Sequence, residues 1–205
     1  MTRAIAVVAL LLPLNTFAAA PVSFDAALGA VRSQVLKTQA LQVQAKSKTS
    51  SAEINRLSSQ TQRHRWDIDR LENRLRDIRR RAKNVSRDPG GNADPFLNND
   101  LRRFIWDLRD EKRDMERTAR DLERIERAAP KDPALVNAAL TLESRTRWLE
   151  NSAESLEREA TWATFDIRRA GFTFEAMDIS RETDEIEREA RDIHQDARRL
   201  LNKVR

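Results

Sequence analysis

The chain of 205 residues has no cysteine and no tyrosine, two histidines, four glycines and six prolines, and only 5% of it is aromatic. Without cysteine there can be no disulfide, no c-type haem attachment and no thioether-linked lipid. Sparse glycine and proline leave few places to turn. With 35% of residues charged and so few aromatics, a globule with a thick core is excluded in favour of long helices with thin apolar seams. Enzyme signatures are missing as well: there is no P-loop, no G-x-G-x-x-G, no G-x-S-x-G and no H-E-x-x-H. The chain therefore reads as non-enzymatic, with no cofactor.

No apolar run reaches the length of a membrane span. Ala4 to Leu14, preceded by Arg3 and followed by Phe17-Ala18-Ala19-Ala20, has the form of a secretory signal. Residues 1–20 are expected to be removed on export, leaving a soluble periplasmic or secreted protein. Export without disulfides is most natural in a bacterial periplasm.

What is present is period. From Ile54 the positions Leu57, Thr61, His64, Ile68, Leu71, Leu75, Ile78, Ala82 and Val85 follow in steps of 3 and 4, a seam of about nine turns. The same pattern runs from Leu135 through Ala139, Leu142, Thr146, Leu149, Ala153, Leu156, Ala160 and Ala163 to Ile167. It runs again from Ile179 through Thr183, Ile186, Ala190, Ile193, Ala197 and Leu200 to Val204. A looser set, Leu101, Phe104, Ile105, Leu108, Met115, Leu122 and Ile125, lies between the first two.

Punctuation separates these seams. Pro89-Gly90-Gly91 marks one loop, and Asp94-Pro95 and Asp132-Pro133 each read as an N-cap followed by proline at the first helical position. Ser50-Ser51-Ala52-Glu53 reads as a capping box after polar Ser47 and Thr49. A break near 47–50 is therefore expected, with one unbroken helix as its competitor. The seams lose phase between Ile167 and Ile179, so a turn is expected near Gly171.

The fold expected is all-α: an antiparallel up-down bundle of four long coiled-coil-like helices over 50–205, at Ser51–Ser86, Pro95–Arg127, Pro133–Arg169 and Phe174–Lys203. An additional N-terminal helix in 21–49 is expected to pack on it.

Charge suggests how the bundle closes. Arg74, Arg76, Arg79, Arg80, Arg81 and Lys83 face only Asp77 in their segment, whereas Glu175 to Glu189 holds seven acids against Arg181 and Arg188. Helices Ser51–Ser86 and Phe174–Lys203 would neutralise each other as antiparallel neighbours. The rival reading gives Arg79, Arg80 and Arg81 an anionic lipid or envelope polymer. Nucleic acid is not expected, because no aromatic is interleaved in the basic run.

His64 and His194 fall at similar levels of such a bundle, about 22 residues before Ser86 and about 20 after Phe174. As a facing pair they are the only candidate metal or haem ligands, but neither sits in an E-x-x-H or H-x-x-x-H pattern. The competing reading is an ordinary polar layer. All four tryptophans avoid the seams. Trp148, Trp162 and Phe165 share an outer face of one helix, where water is a poor neighbour. They are the candidate partner surface, for self-association or another protein, unless helix 21–49 covers them. The function expected is a structural, adaptor or chaperone-like interaction module of the cell envelope.

Overall fold

The computed structural model describes residues 24–87 and 94–205. Its regular secondary structure is all helical, with no strand among the described residues: α1 (Phe24–Arg87), α2 (Leu97–Ala128), a 3-10 turn (Pro133–Leu135), α3 (Val136–Arg169) and α4 (Thr173–Val204). The signal-like stretch 1–20 and Pro89-Gly90-Gly91 lie outside the described residues. No described helix is long and apolar enough to cross a membrane.

The chain divides into two compact units, residues 1–43 and 44–205. In the first, the described residues 24–43 are helical. Positions 32–42 are exposed, Val35, Leu36 and Leu41 among them.

The expected helix start at Ser50–Glu53 does not occur, because α1 is helical through Ser47, Thr49 and Ser50. Serine and threonine each cost a helix only about half a kcal/mol relative to alanine. The three of them together do not offset the hydrogen bonds that a break would remove.

In the second unit the seams form the core. Every apolar seam position from Ile54 to Ala82, from Leu101 to Ile125, from Leu135 to Ile167 and from Ile179 to Val204 is buried, and Val85 is partly buried against them. The threonines of the seams are satisfied locally. Thr61 Oγ1 donates to the Leu57 carbonyl at 2.9 Å, Thr146 to Glu143 at 2.8 Å and Thr183 to Ile179 at 2.9 Å. Each hydroxyl bonds a carbonyl of its own helix and so enters the core without an orphaned donor.

The turns follow the punctuation. Asp132 Oδ1 accepts from Ala134 N–H at 2.9 Å, with Pro133 opening the 3-10 turn into α3. Asp94 Oδ1 accepts from Phe96 N–H at 3.0 Å, and the helix proper begins at Leu97, two residues later than Pro95. At Gly171 the chain turns as expected. Phe172 N–H reaches the Ile167 carbonyl at 3.1 Å and Gly171 N–H reaches Arg168 at 3.0 Å, a Schellman closure with glycine at φ 95°.

Helix α4 packs against α2 and α3. Side-chain bonds tie α1 to α2 through Arg56–Asp121, His64–Glu111, Arg74–Asp107 and Arg81–Asp100, and to α3 through Glu72–Ser155 and Arg79–Glu159. The pairing of the basic end of α1 with the acidic start of α4, suggested by their opposite charge, is not the one these bonds make.

Candidate functional site

The basic run of α1 is largely consumed inside the molecule. Arg79 donates to Glu159 and Asp166 of α3, both at 3.1 Å, and Arg81 donates to Asp94 and Asp100, both at 2.6 Å. Hydrogen bonds from Arg81 hold the Asp94 carboxyl below its ordinary range against the opposing effect of burial. Arg80 is exposed, with Asp77 of its own helix at 3.5 Å, and Lys83 is exposed as well. Internal neutralisation is therefore observed, but with single acids of α2, α3 and their turns as partners. The acidic segment of α4 is met by α2 instead: Glu182, 3% exposed, accepts from Arg109 and Lys112, each at 2.9 Å. Burial pushes the Glu182 carboxyl up, but the bonds from Lys112 and Arg109 outweigh it and leave it below its ordinary value.

The two histidines are given separate partners. His64 on α1 is 7% exposed, with Nδ1 2.7 Å from Glu111 Oε1 and Nε2 2.9 Å from Thr118 Oγ1, both on α2. A neutral ring satisfies this site completely, donating to the carboxylate and accepting from the hydroxyl. His194 on α4 lies between two carboxylates of α3, Glu150 at Nδ1 and Glu143 at Nε2. Only the doubly protonated ring donates to both. Each imidazole has both nitrogens engaged, so neither offers a free lone pair to a metal or haem iron. The structure builds two separate polar links, α1 to α2 and α3 to α4, closer to the reading of ordinary polar contacts than to a facing pair of ligands.

The aromatic surface is where the chain departs most from an ordinary bundle. Trp148 is 54% exposed, Trp162 63% and Phe165 61%, all on α3, while Trp66 of α1 and Trp106 of α2 are also exposed. One face of each α3 tryptophan is covered by a guanidinium of α1: Arg65 sits 5.2 Å from the Trp148 ring centroid and Arg79 sits 6.0 Å from that of Trp162. Arg169 covers Phe165 from within α3, at 5.4 Å. Arg65 and Arg79 are two heptads apart, as are Trp148 and Trp162, and the Glu72–Ser155 bond at 3.0 Å falls midway between them. The three contacts share one spacing along α1 and α3. Exposed cation–π pairs contribute only about 0.5–1 kcal/mol each. They fix the ring planes and leave the outer faces open to a partner.

An open cleft of about 510 Å³ lies between α2 and α4, with Glu116, Glu123, Glu189, Asp192 and Asp196 on its walls beside Arg120 and Arg199. Burial, with Glu116 and Asp192 nearby, raises the Glu189 carboxyl. Burial raises Asp196 too, with Glu123 and Glu126 adding to it and Arg199 opposing. No sequence pattern announces this cleft, because its acids come from two helices and alternate with basic residues on each. Among the described residues no group of three or more His, Asp or Glu side chains is arranged to hold a metal ion. Comparisons with protein-family models, curated proteins and solved structures gave no match.

Proposed function

We propose that this chain is an exported, non-enzymatic helical bundle that serves the cell envelope as a structural, adaptor or chaperone-like interaction module. The observation that carries this reading is the solvent-facing aromatic surface of α3, with arginines of α1 stacked on its two tryptophans. Large aromatics left half-exposed on a regular, well-sealed bundle are most useful at an interface, where tryptophan and arginine dominate binding energy.

The architecture proposed with it is an up-down bundle of α1 to α4, in which α1 and α4 are diagonal rather than adjacent. Support comes from the order of the bonds. From Arg56 to Arg81 the α2 partners descend from Asp121 to Asp100, and from Glu72 to Arg79 the α3 partners ascend from Ser155 to Asp166. The metal or haem reading of His64 and His194 is not favoured, since their ring nitrogens are already engaged.

Photo-crosslinking groups placed at Trp148 and Trp162 in cells test the interaction reading, with the exposed Arg117 on α2 as control. A discrete crosslinked envelope protein from the two tryptophan positions and none from Arg117 is the expected outcome. Recovery of the chain alone, or of the same products from all three positions, would refute an adaptor role for this face.

A further inference from the structure

The turn end of the second unit carries a different surface. Here α1 and α3 finish and α2 and α4 begin. The bonds of Arg79 with Asp166, Arg81 with Asp94 and Asp100, and Arg109 with Asp178 hold the four ends level. Four large apolar side chains face outward around this rim: Phe96, Phe165, Phe174, which is 83% exposed, and Met177. Between them stand Lys83, Arg87, Arg102, Arg103, Arg168 and Arg169, all exposed and none in an ion pair among the described residues. The acids of the same rim are otherwise committed. Asp94, Asp100, Asp166 and Asp178 each hold an arginine, which among the described residues leaves Glu175 as the acid of this rim outside an ion pair.

Unpaired cations interleaved with outward phenylalanines fit one partner chemistry better than others. Phe96 lies in the turn before α2 and Phe174 in the first turn of α4, where Phe174 borders a recess of only about 170 Å³, too small to seat a helix or strand. A bilayer interface needs no groove. It takes aromatic rings at headgroup depth and draws arginine and lysine to its phosphates. We propose that this end of the bundle docks on the surface of an anionic phospholipid bilayer, with Phe96, Phe165, Phe174 and Met177 among the headgroups and the six unpaired cations on lipid phosphates. Phe165 borders both this end and the α3 tryptophan face, but the tests of the two use different residues, so either reading can fail without the other.

The test measures partition of the purified full chain onto vesicles of phosphatidylglycerol with phosphatidylcholine, against vesicles of phosphatidylcholine alone. The neutral vesicles report any contribution from the apolar residues 4–14. Binding is expected on the anionic vesicles and to weaken in salt. The double variant Arg102→Glu, Arg103→Glu should lose at least about twenty-fold, since each cation near such a surface accounts for about five-fold. Phe96→Ser with Phe174→Ser should also weaken it. Arg198→Glu with Arg205→Glu, which changes net charge equally at the far end, should stay within about two-fold. All these residues are exposed, and unchanged helical circular dichroism and melting will show that the variants fold. Equal binding to neutral and anionic vesicles, or equal losses from the two ends, would overturn the proposal.

Discussion

Replacing Glu182 by glutamine removes the most deeply buried charge of the bundle while keeping its shape. At 3% exposure the carboxylate receives Arg109 and Lys112 at 2.9 Å and Arg181 at 3.2 Å. Breaking a fully buried ion pair costs about 3–5 kcal/mol, and a hydrogen bond to a charged group contributes about 1.5–3 kcal/mol. The upper figure does not apply. Arg109 keeps Asp178, Lys112 keeps Glu185, and their side chains remain 28% and 21% exposed to water. The expected loss is therefore about 2 kcal/mol at pH 7, or about 4–8 °C in Tm for a domain of this size. Because the folded carboxyl lies below its unfolded value, the native state binds fewer protons in that window. Its contribution is complete above the unfolded value of about 4.3 and is lost as pH falls through the folded one. Urea unfolding followed by circular dichroism should show the gap between wild type and Glu182→Gln at pH 7 and its closure toward pH 3. A gap below about 0.5 kcal/mol at pH 7, or one as large at pH 3, would refute the reasoning.

Substitutions at two further positions probe other contributions. Gly171→Ala should cost about 1–2 kcal/mol through the positive φ alone, since a Cβ there meets nothing within 4 Å; Gly171→Asn should recover part of it in the same thermal melts. Glu189→Gln should stabilise by about 0.5–1 kcal/mol at pH 7, as charge optimisation commonly does. Its carboxyl is raised in the fold, so the ionised form is disfavoured above that value and the gain should vanish as pH falls below the ordinary carboxyl range.

The seams were legible because burial on a helix repeats in steps of 3 and 4, and nothing in this sequence competes with that signal between Ile54 and Val204. The turn at Gly171 was legible from lost phase. Helix continuity at Ser50 was not, since a capping box shows only that a helix can start there, not that the preceding one has ended. The bonding partners of the basic end of α1 were misread for a different reason. Net charge of a block is a long-range quantity, and salt screens it beyond about 8 Å. Contact pairs decide, and these depend on individual acids such as Glu159 and Asp166, seven apart on α3, that a block sum over a mixed segment conceals.

The same distinction explains what the sequence says about the candidate surface. Position outside every seam was enough to find Trp148, Trp162 and Phe165, because exposure is set by each helix alone. Their arginine partners were also written in the sequence, as Arg65 and Arg79 at the same two-heptad spacing, but that match has meaning only once α1 and α3 are known to lie side by side. A repeat shared by two helices is evidence of contact only in one register, and here the Glu72–Ser155 bond supplies it. The test of that register is local. Arg65→Ala should loosen the Trp148 ring and leave Trp162 as it was, because the two pairs share a register but no atoms.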